Sequence, residues 1–270
     1  MRFGAPATAV RSRAQLVRVL HADPELGGAL TGPRLAEATE RLVAAVVAPR
    51  GGTLADSALT VAGPEGLGLL MLEGVVAREV LLSDNVSVEF LGAGDLLQES
   101  RPDDPGRLLR SQVRWTVVEP ARFAVLDARF ARAAAEYPEV ALVLMNRLVQ
   151  RSHRLAVTQA ITQLNGVDRR VLTLLWHLAE RWGHISSSGV EVPLRAPHRM
   201  LAQAVGARRP TVSTAIASLQ ARNELSRRPD GGWVLHGEPV GLPSDEVRRV
   251  IALRRRRPGQ RAELELSASR

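Results

Sequence analysis

Between His198 and Asn223 lies a run of residues whose types and spacing suit binding in the major groove of DNA, HRMLAQAVGARRPTVSTAIASLQARN. Counted from His198, a small residue, Ala202, is fifth and Gly206 is ninth, where two helices must touch and the chain must turn. Gly206 supplies the positive φ that a tight helix end favours, and Pro210 suits the first turn of the next helix. The run therefore predicts a helix-turn-helix.

The second helix, from about Pro210 to Asn223, is predicted to bury an apolar stripe of Val212, Ile216 and Leu219. Its N-terminal end then exposes guanidinium and hydroxyl groups, which can donate hydrogen bonds to bases and phosphates. The candidate DNA-binding residues of the helix-turn-helix are His198, Arg208, Arg209, Thr211, Ser213 and Thr214. The alternative is an ordinary helical hairpin whose arginine cluster is only solvated.

After Leu225 the segment SRRPDGGWVLH has two short extended runs around Asp230-Gly231-Gly232, which predicts a β-hairpin. A helix-turn-helix followed by a hairpin is a winged helix, whose wing usually lies along the phosphate backbone. Arg228, in this wing, is the candidate phosphate contact.

The composition excludes several classes of site. The formal charge of the 270 residues is +8, which favours an anionic partner, either nucleic acid or a membrane surface. All 36 basic residues are arginine, so a P-loop lysine, a Schiff base and a pyridoxal site are excluded. Cysteine is absent, which excludes disulfides, thiolate catalysis and zinc fingers. No apolar run has the length of a signal peptide or membrane span, so we expect a cytoplasmic protein without membrane contact.

From Gly52 to Asp127 short apolar runs alternate with Gly, Pro, Asp and Asn, which predicts a small antiparallel barrel or jelly roll. A barrel of this size could hold a metal through histidines on neighbouring strands. None of the six histidines lies in this segment, so we expect neither a metal nor another cofactor.

Helices are predicted on both sides of the barrel segment. Two precede it, at about Thr8 to Ala22 and Gly32 to Val47. A longer helix is predicted from Pro138 to Asn165, about 40 Å at 1.5 Å per residue. A role as the seam of a homodimer explains this length best. The predicted seam is Tyr137, Ala141, Leu144, Leu148, Arg151, Leu155, Thr158 and Thr162, flanked by Val140, Met145, Val149, Ala156 and Ile161. The alternative is a helix packed only on its own barrel. Asp168 is predicted to cap the following helix, and a hairpin is predicted from His184 to Leu194.

This order of elements resembles the Crp/Fnr superfamily of bacterial transcription regulators over about residues 50 to 236, most specifically in LEGVVAREVLLSDNVSVEFLGAGDLL and LAQAVGARRPTVSTAIASLQARNEL. The resemblance implies a cyclic-nucleotide-binding-type barrel and a guanine-reading role for Arg209. Pro210 stands where the family commonly has a cytosine-reading glutamate, and Thr214 replaces a later base-reading arginine. The operator therefore need not be the best-known one of the family.

The resemblance is weaker at the sensor end. Family members that bind cyclic nucleotides have a Gly-Glu pair and an Arg-Ser/Thr-Ala run for the phosphate. Arg110 and Ser111 occupy about the place of that run and are the candidate effector-binding residues, but Leu97-Gln98-Glu99-Ser100 stands where the Gly-Glu pair should be. A phosphate pocket needs several converging donors, so we expect DNA binding that does not depend on cyclic AMP.

The predicted fold is α+β, with an N-terminal antiparallel β jelly-roll barrel, a long dimerisation helix and a C-terminal winged helix-turn-helix. The predicted divisions are an N-terminal helical extension (1–50), the barrel sensor domain (51–128), the dimerisation helix (129–165), the DNA-binding domain (166–237) and a basic C-terminal helix and tail (238–270). The expected function is a homodimeric transcription regulator, not an enzyme, that binds a pseudo-palindromic double-stranded operator, with RNA polymerase as a further candidate partner. The alternative is a protein-interaction or scaffold module whose winged helix no longer binds DNA.

Overall fold

The computed structural model describes residues 15–49, 51–54, 59–98, 108–109 and 111–239. The elements up to the end of the barrel are β1 (Leu16–Arg18), α1 (Val19–Ala22), a 3₁₀ turn (Pro24–Gly27), α2 (Gly32–Arg41), β2 (Val43–Val47), β3 (Gly52–Leu54), a second 3₁₀ turn (Thr60–Ala62), β4 (Gly68–Leu82), β5 (Asn85–Gly92), β6 (Leu96–Leu97) and β7 (Ser111–Leu126). They are followed by α3 (Ala128–Ala134), α4 (Pro138–Thr162), α5 (Val167–Trp182), β8 (His184–Ser186), β9 (Gly189–Val192), α6 (His198–Ala204), α7 (Arg209–Ala221), β10 (Leu225–Arg227) and β11 (Trp233–Leu235).

The N-terminal sheet is antiparallel, in the strand order β1-β2-β7-β4-β5, with β3 also pairing with β7 and β6 with β4. Strands β4 and β7 pair along most of their length. The register shifts around Gly74, whose φ of 89° favours glycine and where a Cβ would clash with the carbonyl oxygen of Pro120. This bulge bends β4 within a continuous ladder. The predicted antiparallel barrel is confirmed.

Residues alternate between two buried faces along the sheet. The enclosed face is filled with large apolar side chains, among them Met71, Trp115 and Phe123. The opposite face is covered at one end by α1, α2, α3 and the start of α4, around Leu70 and Tyr137. Its other end, at β4 and β5, packs on the C-terminal half of the chain. The barrel and the helix-turn-helix are therefore joined through a shared core.

The N-terminal segment differs from its prediction as a helical extension. Residues 16–18 form a strand, and the first helix covers only Val19–Ala22, while residues 8–14 of the predicted helix lie outside the described residues. The second helix ends at Arg41, and Val43–Val47 is a strand between β1 and β7. Valine has restricted rotamers in a helix and packs well on a pleated sheet, so the available strand partner decides this segment.

The long helix α4 begins at Pro138 as predicted and ends at Thr162 after 25 residues. The predicted seam along it is wrong in part. Tyr137 and Leu144 are buried in the chain's own core, and Arg151 pairs with Glu89 of β5 at 2.8 Å. That side of the helix therefore holds the barrel.

The next helix, α5, has Gly166 as its N-cap, with φ 84°. Asp168, predicted as the cap, lies in the first turn and accepts a hydrogen bond from Arg222 at 3.0 Å. The hairpin predicted between His184 and Leu194 is present as β8 and β9. The predicted basic C-terminal helix and tail (238–270) lie outside the described residues from position 240 onward. Among the described helices, none combines the length and apolarity needed to cross a bilayer.

Candidate nucleic-acid interface

Helices α6 and α7 form the predicted helix-turn-helix and pack on α5. Their inward residues Leu201, Val205, Val212, Ile216 and Leu219 are buried in one cluster. The turn between the helices has Gly206 at φ 62°, and the N–H of Ala207 donates to the carbonyl oxygen of Ala202 at 2.9 Å. Asn223, at φ 56°, follows the end of α7. The spacing read from the sequence therefore places the small and turning residues correctly.

The N-terminal end of α7 faces solvent. Arg208, the N-cap, and Arg209, the first residue of the helix, are exposed, as are Thr211 and Thr214. Among the described residues, no carboxylate pairs with either arginine. Thr214 donates its hydroxyl to the carbonyl oxygen of Pro210 at 3.2 Å, which holds the side chain against its own helix. Two unpaired guanidinium groups are therefore presented together at this helix end.

His198, the first residue of α6, connects this end to the wing. Its Nδ1 lies 3.0 Å from the hydroxyl oxygen of Ser213 in α7, and its ring stacks on Trp233 of β11, with ring centroids 6.3 Å apart. Burial, followed by the charges of Arg227 and Arg209, lowers the pKa of His198 from its ordinary value. These contacts make Ser213 a partner of His198 as well as a candidate contact to DNA.

The wing is the hairpin of β10 and β11, closed by a turn in which Asp230 accepts a hydrogen bond from the backbone N–H of Gly232 at 2.9 Å. Arg228, the predicted phosphate contact, turns back into the domain. It pairs with Glu191 of β9 and, at 3.0 Å, with Asp230. The side chain of Arg228 is only 22% exposed, so its guanidinium already has two carboxylate partners.

Two arginines near the wing were not singled out from the sequence. Arg227 is exposed and its guanidinium lies 4.0 Å from the ring centroid of Trp233, its partner across the hairpin. Arg195 is 55% exposed and reaches Glu119 of β7 at 3.5 Å. Both lie beside Gly231 at the tip of the wing. The sequence feature that could have identified Arg227 is its position opposite Trp233, with the Asp230-Gly231-Gly232 turn between them. We call Arg195, Arg208, Arg209 and Arg227 the arginine face.

Only one of the two candidate effector residues is among the described residues. Arg110 lies outside the described residues, and Ser111 is the exposed first residue of β7, opposite Leu82 of β4. In the described ranges, no group of three or more histidine, aspartate or glutamate side chains is placed to hold a metal ion.

Comparison with known proteins connects this geometry to a family. Residues 169–236 match the family model of the Crp-like helix-turn-helix domain. The CRP-like cAMP-activated global transcriptional regulator of Mycobacterium tuberculosis is 28% identical over 159 residues, a match that covers 58% of this chain and 66% of that relative, just under two thirds of its length.

Solved structures show the same fold. FixK2 from Bradyrhizobium japonicum has a TM-score of 0.56 at 16% identity, covering 77% of this chain and 96% of that one. A cyclic nucleotide-binding domain containing protein from Listeria monocytogenes EGD-e has a TM-score of 0.52 at 15% identity, covering 78% and 96%. Residues 169–236 thus form a Crp-like helix-turn-helix domain, and in sequence and architecture the chain is similar to transcription regulators of the Crp/Fnr superfamily.

Proposed function

We propose that the protein is a homodimeric, sequence-specific DNA-binding regulator of transcription, acting in the cytoplasm and without catalytic activity. The observation that carries the proposal is the pair Arg208 and Arg209, exposed at the N-terminal end of α7 with no carboxylate partner among the described residues. An arginine fork in this position can pair bidentately with guanine O6 and N7 in the major groove.

The rest of the arginine face supports a phosphate-binding role. Arg227 and Arg195 flank the tip of the wing, and we expect them to contact the phosphate backbone of the same half-site. Thr211 and Thr214 lie on the exposed side of α7. Positions 209, 210 and 214 correspond to base-reading positions of the Crp/Fnr superfamily. This chain has proline at position 210 and threonine at position 214, so Arg209 is the base-reading side chain that it keeps.

We propose that dimerisation uses the side of α4 that faces away from the barrel. Leu142, Met145 and Val149 are 60%, 61% and 64% exposed and recur at intervals of three and four residues. Ala156 continues the stripe. Large apolar side chains at heptad spacing suit a two-helix seam, and no other described part of the chain covers them. A dimer would place two α7 helices on half-sites about 10 bp apart.

We also propose that DNA binding does not require cyclic AMP, although the curated relative is named as cAMP-activated. The enclosed face of the barrel is filled by Met71, Trp115 and Phe123. A cyclic phosphate carries a full charge and needs several converging donors, and Ser111 is the one described residue of the candidate set.

The test is selection of bound duplexes from a randomised DNA pool by the full-length protein, followed by gel shifts with the selected duplex and a scrambled one. We expect enrichment of a pseudo-palindrome, and selected-duplex affinity unchanged by cyclic AMP or cyclic GMP. The Arg209→Ala variant should fold like the wild type and should relax the preference at one base pair of the selected duplex. Failure to enrich any sequence would favour a scaffold role over a regulator. A rise in DNA affinity with either nucleotide would contradict the proposed independence from cyclic nucleotides and leave the DNA-binding function in place.

A further inference from the structure

His198 lies beside two members of the arginine face, Arg209 and Arg227, and its imidazole can titrate near neutral pH. Three elements surround it: α7 contributes Ser213 and Arg209, β10 contributes Arg227, and β11 contributes Trp233. The neighbouring Arg199 of its own helix turns away and pairs with Glu79 of β4 at 3.3 Å. Among the described residues, no carboxylate pairs with His198. The charges that face the imidazole are therefore cationic.

The hydrogen bond to Ser213 leaves one ring nitrogen available. Nδ1 is held 3.0 Å from the hydroxyl oxygen, and Nε2 has no hydrogen-bond partner among the described residues. A serine hydroxyl can both donate and accept, so this contact tolerates the neutral ring and the imidazolium. In the imidazolium both nitrogens donate, Nδ1 to Ser213 and Nε2 to an acceptor outside the protein.

The free protein disfavours the imidazolium. Burial against Trp233, and then the charges of Arg227 and Arg209, keep the pKa of His198 below its ordinary value, so the ring is neutral near pH 7. When DNA binds, a phosphate neutralises Arg227, guanine acceptors pair with Arg209, and the phosphate backbone adds negative potential at the ring. The contribution of the two arginine charges to the lowered pKa is thereby offset in the complex, while the burial of the ring remains.

We propose that His198 takes up a proton when the arginine face binds DNA, and that the imidazolium donates from Nε2 to a backbone phosphate. This inference rests on the proposed DNA-binding function. Because the proton is bound more tightly in the complex, DNA affinity rises as pH falls through the pKa of the complex and levels off below the pKa of the free protein. Each unit by which DNA raises the pKa gives about a tenfold gain in affinity per protomer.

The binding test uses the full-length protein with the selected duplex and with a random-sequence duplex, at constant ionic strength between about pH 6 and pH 8. A phosphate contact carries no sequence information, so both duplexes should show the same pH dependence. His198→Gln should remove it, and His198→Arg should bind with high affinity at every pH.

The matched control is His236→Gln. His236 also bonds a serine, with Nε2 2.9 Å from the hydroxyl oxygen of Ser226, but Ser226 belongs to β10 and not to the helix-turn-helix. This variant should keep the pH dependence of the wild type. Equal loss in both variants would overturn the assignment to His198.

A second measurement does not depend on a variant that folds. Proton NMR titration of the histidine ring signals, with and without the random-sequence duplex, should show the pKa of His198 rising in the complex. An unchanged or lowered pKa would overturn the inference. DNA binding without pH dependence would contradict proton uptake by His198 and leave the proposed DNA-binding function in place. The absence of DNA binding at every pH would contradict both proposals.

Discussion

At the scale of residues, arginines that are neighbours in the sequence differ in the side chains that they contact. Arg208 and Arg209 have no carboxylate partner among the described residues, while Arg228 is held by Glu191 and Asp230. Arg227, one residue earlier, lies over Trp233 with its face to solvent. A guanidinium that is both mostly buried and paired with two carboxylates, as in Arg228, must lose those bonds to reach DNA, so we assign Arg228 a structural role.

Arg209→Ala should cost about 1 to 3 kcal/mol of binding free energy on the selected duplex and relax the preference at one base pair. The reason is the loss of a bidentate contact that only one base can complete. Competition gel shifts over all four bases at each operator position measure this. An equal loss on selected and random duplexes would contradict base reading.

Arg227→Ala should weaken binding to all sequences alike and lower the slope of log affinity against log salt by about one unit, because one phosphate contact is removed. Arg228→Ala is the matched control. Its main effect should be on the wing, a loss of about 1 kcal/mol of unfolding free energy, since Glu191 then keeps His184 as its remaining partner. A change of salt slope in Arg228→Ala but not in Arg227→Ala would reverse the two roles.

At the scale of elements, α4 has two sides with different chemistry. One side holds the barrel through Leu144 and the Arg151–Glu89 pair. The opposite side exposes Leu142, Met145 and Val149. A helix at a dimer seam must contact its own domain on one side and expose apolar residues to the partner protomer on the other. Helix α4 has both sides.

Met145→Asp and Val149→Asp should each weaken the dimer by about 2 kcal/mol or more, because an unpaired carboxylate would be buried in the seam. Leu148→Asp and Leu155→Asp, at positions 42% and 40% exposed, should have the same direction of effect. Light scattering over a dilution series measures the mass.

Gln150→Asp adds the same charge at an exposed position outside the stripe and should leave the dimer intact. A wild-type protein that is monomeric at every concentration would refute the seam.

At the scale of the whole molecule, buried carboxylates of the barrel hold the C-terminal half. Asp95, 3% exposed, accepts hydrogen bonds from Arg154 of α4 at 2.6 Å, Arg181 of α5 at 2.8 Å and the backbone N–H of Gly92 at 2.9 Å. Glu79 of β4, fully buried, pairs with Arg199 of α6. The barrel and the helix-turn-helix are thus held together by ion pairs as well as by a common apolar core.

Asp95→Ala should lower the free energy of unfolding by about 3 to 5 kcal/mol, because two partly buried arginines lose their shared carboxylate. Denaturant unfolding measures the change. Glu40→Ala, which breaks the solvent-exposed pair with Arg18, should cost less than about 1 kcal/mol. Similar losses in the two variants would show that the Asp95 network contributes no more than a surface pair.

Local sequence determined the helix-turn-helix and its wing. Ala202, Gly206 and Pro210 act within a few residues of their position, through contact distance, positive φ and a restricted first turn, so their effect could be read without the rest of the chain. The start of α4 at Pro138 and the order of the elements after the barrel followed from signals of the same local kind.

The tertiary structure decided everything that depends on a distant partner. Val43–Val47 became a strand because β1 and β7 offer it hydrogen bonds on both edges. The exposed side of α4 and the separate roles of Arg227 and Arg228 depend on where β5, β9 and Trp233 lie. Strand pairing and ion pairing act through space between residues far apart in the chain, and a periodic pattern identifies an apolar side of a helix without identifying what covers it.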